Sequence, residues 1–191
     1  MLRLVEKRFK CLLSLREILG DNNIGYQPLG GYEVFSKDDL SAFENCEENI
    51  NKYNQLLKDI IGGSVFNVSQ DALEKNGLNN FERVIFNKYE GQLHTGKMMS
   101  SLLKLVQSKD IMIFNGIKVS RLEESHKELT IYTNEGWPIK CKKVLVCTNG
   151  LTPRLFPGLD IKPARNQVLI TDSIPGLKMK GSFHYNRGYV Y

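Results

Sequence analysis

The amino-acid sequence predicts a mixed α/β fold. Its first half repeats apolar residues at helical spacing between glycine stops, and its second half carries a series of short extended runs. One of these runs, Val144 to Cys147, is apolar throughout, the character of a strand buried on both faces. Helix, buried strand, antiparallel excursion and second buried strand describe an α/β sheet interrupted by an antiparallel insert.

The elements follow in order. From Leu2 to Leu19 apolar residues recur at Leu4, Phe9, Cys11, Leu12, Leu15, Ile18 and Leu19, and Gly20 closes the helix. Gly30-Gly31 opens a short strand, Tyr32 to Phe35. Ser36 stands at an N-cap position, with Asp38 and Asp39 in the first turn facing the positive end of the helix dipole. Helical spacing resumes from Ile50 through Tyr53, Leu56 and Leu57 to Ile61, and Gly62-Gly63 stops it. The Asn-rich stretch 67–80 is expected to be a loop with one short helical piece. Arg83 to Phe86 is expected as a strand, with Thr95 capping a helix from Gly96 to about Ser108. Extended pieces follow at Ile111 to Phe114, Lys118 to Leu122, Leu129 to Thr133, Pro138 to Cys141, Val144 to Cys147 and Arg165 to Thr171. Ser182 to Tyr185 and Gly188 to Tyr191 form the two limbs of an expected hairpin.

Composition narrows the function classes. The chain has 191 residues, 41% apolar and 25% charged, which suits an ordinary soluble domain with a real core. Its net charge of +5 comes from dispersed residues, not from a stripe interleaved with aromatics, so nucleic acid is not an expected partner. No apolar run reaches the roughly 20 residues that span a bilayer, and Met1 to Lys10 lacks the apolar core of a signal peptide. Cys11, Cys46, Cys141 and Cys147 show no paired spacing, which implies free thiols, no metal site and a cytoplasmic setting. The three histidines sit away from ligand or nucleophile–base spacings, so no catalytic side chain is assigned.

Two motifs decide between nucleotide chemistries. Gly91-Gln92-Leu93-His94-Thr95-Gly96-Lys97-Met98 has the GxxxxGK spacing of a phosphate loop. The position that should bring a hydroxyl to Mg²⁺ is Met98, whose thioether does not bind a hard cation, so this reading ranks last. The dinucleotide fingerprint GxGxxG is absent from the sequence.

The stretches GGYEVF, EGQLHTGKMMSSLLKL, IMIFNGIKVSRLEE, KKVLVCTNGLTPRLFPGLDIKPARNQVLITDSIP and FHYNRGYVY occur in an order that resembles the middle of the D-amino-acid oxidase and glycine oxidase family of flavoenzymes. The resemblance runs from about Leu4 onward. It implies a partial FAD-binding, Rossmann-like sheet with an antiparallel excursion, joined to part of a substrate domain of helices and a mixed sheet. On that basis residues 1–31 are a helix of the cofactor domain, 32–90 a substrate-domain portion, 91–164 the partial FAD-binding domain, and 165–191 a return into the substrate domain. The family's N-terminal GxGxxG unit and its last flavin-contacting segment have no counterpart here, which gives the expectation of an internal piece.

The resemblance also implies site residues. Val119 matches the position whose main chain reads the adenine edge, although it is also an ordinary strand residue. Thr148, Asn149 and Gly150 match the turn after the buried strand, where the cofactor is approached, although Asn149-Gly150 is also a common turn pair. Arg165 could steer an anionic substrate, and Tyr185, Tyr189 and Tyr191 lie where the substrate sheet begins to face the flavin. For Arg165 a solvated or ion-paired role stands at least level with this, and for the three tyrosines the plain structural role is favoured. The implied activity is FAD-dependent oxidation of an amine, amino acid or 2-hydroxy acid. A non-catalytic module, or a partner completed by another chain carrying GxGxxG, is the competing expectation.

Overall fold

The computed structural model describes residues 1–165 and 167–186. The second limb of the expected hairpin, Gly188 to Tyr191, falls outside them, and so does Asn166. The chain divides into two compact units, Met1–Lys109 with the chain from Leu169 onward, and Asp110–Val168.

The first unit opens on helix α1, Leu2–Leu19. Gly20 sits at φ 81°, a left-handed value that suits glycine, and its N–H closes the last turn on the Arg16 carbonyl. A one-turn helix α2, Asp21–Ile24, follows, with the Arg16 guanidinium holding both oxygens of Asp21 at 2.8 Å. The spacing of α1 announced a broad apolar stripe, yet only Leu19 of it is buried in this unit.

Strand β1, Gly31–Phe35, is the second strand in from one edge of a four-stranded sheet. The sheet also contains β2 (Phe66–Val68), β3 (Arg83–Asn87) and β7 (Ser182–Tyr185), in the order β2-β3-β1-β7. β1 runs antiparallel to β3 and parallel to β7, so the sheet is mixed. Because strand side chains alternate, each face of β1 builds its own core. Val34 and Val84 pack with Ala72 of helix α4, Asp71–Asn76, on one face. Phe35 and Ile85 pack on the other with Phe43 of helix α3, Leu40–Ile61.

Ser36 and Asp39 cap a 3₁₀ turn, Lys37–Asp39, each side chain bonding the other's backbone, and α3 starts from it. α3 ends where Gly62 takes φ 92°. Asn54 of α3 then fastens β2 to the helix: its carbonyl oxygen accepts from the N–H groups of Val65 and Phe66, and its amide donates to the Phe66 carbonyl. β2 overlaps the start of the Asn-rich stretch 67–80 expected to be a loop with one short helical piece. It pairs with β3 because this single asparagine satisfies backbone groups that a loop would leave to water.

Helix α5, Thr95–Gln107, is capped by His94, whose Nδ1 accepts from the Lys97 N–H at 3.2 Å. The cap is thus one residue earlier than the threonine signal indicated. Histidine serves because its ring nitrogen reaches the same N–H that a hydroxyl would.

The second unit holds an antiparallel sheet β4-β5-β6, formed by Val119–Glu124, Leu129–Thr133 and Pro138–Cys141. These are three of the expected extended pieces, with the turn at Asn134 to Gly136 between the last two. The runs Ile111 to Phe114, Val144 to Cys147 and Arg165 to Thr171 form no strand among the described residues. A strand needs a neighbour for its backbone groups, and no backbone hydrogen bond reaches 111–117 or 142–147 among the described residues. Leu145 is 89% exposed. A 3₁₀ helix, Asn149–Arg154, follows the second of these runs.

Candidate cofactor site

Each residue assigned to cofactor binding lies in the second unit, and each has a definite backbone setting. Val119 begins β4, the edge strand of the three-stranded sheet. Asn134 clamps the residue before it: its side-chain oxygen accepts from the Lys118 N–H at 2.8 Å, and its own N–H donates to the Lys118 carbonyl at 2.9 Å. Lys118 therefore turns its main-chain groups toward β5. By strand alternation those of Val119 point to the open edge, just before the register shifts between Val119 and Arg121. An edge strand with free N–H and C=O groups is a template for a hydrogen-bonding partner. The side chain of Val119 is 37% exposed and takes no part in this.

The turn from Thr148 to Gly150 is built differently. Thr148 caps the 3₁₀ helix through its carbonyl, which accepts from the Leu151 N–H at 2.9 Å. Its hydroxyl lies 3.0 Å from that of Thr152, which in turn donates to the Asn149 carbonyl at 2.7 Å. Asn149 takes φ 46°, the left-handed region where asparagine is tolerated. Gly150 is required by a neighbour: a Cβ there would stand 2.8 Å from Cβ of Pro163. The glycine is thus explained by packing of the chain on itself, and the polar groups left for a ligand are the Asn149 side chain and the exposed face of Thr148. No hydrogen bond joins Val119 to this turn among the described residues. Neither the Asn134 clamp nor the Pro163 contact is legible in the sequence, because both depend on pairings that only the folded chain reveals.

The other assigned residues resolve in part. Arg165 is exposed. Tyr185 packs edge-on to Phe81 with ring centroids 5.4 Å apart, and its hydroxyl lies 3.3 Å from Ser36 Oγ, which is a structural role. Tyr189 and Tyr191 lie outside the described residues. His184 has a carboxylate neighbour distant in sequence, Glu90, at 3.1 Å.

Four of the eight backbone amides of the GxxxxGK loop are engaged within the chain. The Gln92 N–H donates to the Gln27 carbonyl, the His94 N–H to the Ile24 carbonyl, and the Lys97 and Met98 N–H groups to His94. Gly91 is needed where the loop crosses Tyr26 and Gln27, since a Cβ would lie 2.6 Å from the Tyr26 hydroxyl. The Lys97 N–H, which a phosphate loop would turn to its ligand, is among those spent on the chain itself. Among the described residues no His, Cys, Asp or Glu cluster could hold a metal ion, and no helix is long and apolar enough to cross a membrane.

The family model DAO, FAD dependent oxidoreductase, matches residues 1–191. The chain belongs to this family. FAD is the cofactor of these oxidoreductases, and the mixed sheet with a separate antiparallel sheet is an arrangement that recurs in their solved structures. Glycine oxidase from Geobacillus kaustophilus is 15% identical over 82% of this chain and 41% of its own, with a TM-score of 0.60. Iminodiacetate oxidase from Chelativorans sp. BNC1 is 17% identical over 82% of this chain and 42% of its own, at 0.64. L-proline dehydrogenase from P. horikoshii is 14% identical over 96% of this chain and 49% of its own, at 0.66. At these identities the likeness is one of fold. The chain spans less than half the length of each of these three proteins. No curated protein matches it.

Proposed function

We propose that this chain forms part of an FAD-dependent oxidoreductase acting on an amine, an amino acid or a 2-hydroxy acid. The observation that carries the reading is the family match along the whole chain. FAD, when bound, accepts the hydride released from the substrate carbon, and the protein supplies position and electrostatics.

Residues 91–164 are assigned to the cofactor side, and 32–90 with 165–191 to the substrate side. Val119 presents its N–H and C=O to the adenine edge. Thr148 offers a hydroxyl and Asn149 a side-chain amide to the polar part of the cofactor, with Gly150 keeping the turn tight. The open edge of β4 and the outward polar groups of the turn support this. The pyrophosphate is assigned to a segment carrying GxGxxG, which this sequence does not contain. The runs at 111–117 and 142–147 support such a segment, since their backbone groups have no mate among the described residues.

The purified chain is expected to be colourless after incubation with FAD and gel filtration. When coexpressed with a GxGxxG-bearing βαβ segment it should retain flavin absorbance, and Asn149→Ala with Thr148→Ala should weaken that retention about tenfold. Retention unchanged by both substitutions removes the turn from the site, and absence of flavin in every combination favours a module without catalysis.

A further inference from the structure

Strand β7 is an edge strand of the mixed sheet, paired with β1 alone. What holds it lies far back in the chain. The Ser182 N–H donates to the Gly30 carbonyl at 3.1 Å, and the Phe183 ring stacks on Tyr32 with centroids 4.9 Å apart. His184 meets Glu90, and Tyr185 meets Ser36 and Phe81. Just before the strand, the Lys180 N–H donates to the side-chain oxygen of Asn76 on α4 at 3.0 Å. A parallel strand is joined to its neighbour by a crossover and not by a tight turn. Here the second unit and an arm lie between them, so none of these contacts depends on which copy of the chain supplies β7.

The arm that carries β7 is open. Residues 156–165 and 167–180 are exposed throughout. From 167 to 173 no backbone hydrogen bond is made among the described residues. Stretched out, 167–180 alone reaches about 45 Å at roughly 3.3 Å per residue. Strand contacts made within a chain or between two chains are the same contacts, so the connection decides between them. A long flexible connection sets only about a millimolar effective concentration for closure on its own chain. A modest extra contact between two copies therefore tips the balance.

The arm offers such a contact. Val168, Leu169 and Ile170 are 83%, 90% and 88% exposed. Two arms laid antiparallel about Leu169 pair their free backbone groups and set Val168 of each against Ile170 of the other. The same register brings Arg165 of each copy beside Asp172 of the other, so the run complements itself in charge. A second copy supplies both the strand and the matching run.

We propose that two copies of this chain exchange β7, each strand completing the other copy's mixed sheet beside β1, with residues 167–171 of the two arms paired between them. The exchange does not rest on the flavin reading, since none of its residues is assigned to the cofactor.

The test uses the full chain. Unlabelled and ¹⁵N-labelled protein are mixed at about 200 µM, loosened together in mild urea, and returned to buffer. Gel filtration with light scattering is expected to give a dimer. Lys75 adjoins Asn76, so a short amine-reactive cross-linker should join Lys75 to Lys180 in the native chain, without any substitution. In the isolated dimer, mass spectrometry should find these cross-links between labelled and unlabelled peptides at the statistical share. Leu169→Lys sets like charges against each other across the paired arms and touches nothing in the single chain. It should weaken the dimer about tenfold with the circular dichroism unaltered. A monomer at every concentration, a dimer whose Lys75–Lys180 cross-links never mix isotopes, or indifference to Leu169→Lys overturns the proposal.

Discussion

His184 Nε2 lies 3.1 Å from Glu90 Oε2, tying β7 to the loop that follows β3. The same carboxylate accepts from the Asn87 amide at 2.9 Å, and the Glu90 carbonyl accepts from the Gly30 N–H at 3.0 Å. Gly31 leaves the room for it, since a Cβ on Gly31 would collide with Oε2. Gly31→Ala should therefore push the carboxylate off its partners and destabilise the first unit by about 1–2 kcal/mol, as should Glu90→Ala. The double variant should cost clearly less than the sum, because the collision goes with the carboxylate. Urea unfolding of the four proteins measures this, and strict additivity would show that the Gly31 effect is purely one of backbone.

Gly150 and Pro163 form a second such pair, in the other unit. Gly150→Ala should lower the melting temperature of that unit, at a cost of about 1–3 kcal/mol from overpacking. Pro163→Gly on the Gly150→Ala background should recover part of the loss by removing the opposing ring. Failure to recover would mean that the turn at Asn149 itself rejects a side chain.

The pH dependence follows from Asp39. Its carboxyl is lowered chiefly by the Ser36 hydroxyl, and further by the Ser36 N–H and the Tyr185 hydroxyl, with burial opposing. The folded value lies below the unfolded one, so the unfolded chain binds more protons as acid is added. The contribution is complete above the unfolded carboxylate value and is lost as pH falls through the folded value. Ser36→Ala should thus reduce stability at neutral pH and flatten its decline between about pH 5 and about pH 2. Parallel acid-side slopes in urea titrations of the variant and the parent would sink the assignment.

The cap of α5 separates two adjacent residues. His94→Ala should cost about 1 kcal/mol and fray the first turn, whereas Thr95→Ala should change little. Amide exchange at Lys97 reads the difference directly, and equal protection in both variants would return the cap to the backbone alone.

Much of the fold was legible where a residue acts locally. Gly20 and Gly62 end α1 and α3 because left-handed backbone is nearly free for glycine, and Ser36 with Asp39 starts a helix through bonds between near neighbours. Elements that depend on a distant partner were not. β2 exists because Asn54 reaches it across a turn, and a scan for apolar periodicity passes over it. Val144 to Cys147 has the composition of a strand, but composition cannot supply the neighbour that makes one. The site residues divide in the same way. Gly150 reads from sequence as a cofactor turn, and in the structure its need is met by Pro163. Val119 owes its outward main chain to Asn134, fifteen residues downstream in the turn that also ends β5.

The parallel pairing of β1 with β7 sets the order in which the molecule can be completed. Gly31 emerges from the ribosome early, yet its partner Ser182 follows only after the whole of the second unit has been made. Until then the nascent chain carries β1 with one long side bare, next to the aromatic ring of Tyr32 that Phe183 will later cover. Such an edge invites pairing with other chains. The interval between the two strands is therefore the period in which a chaperone has most to shield, and slow translation of residues 110–168 would lengthen it.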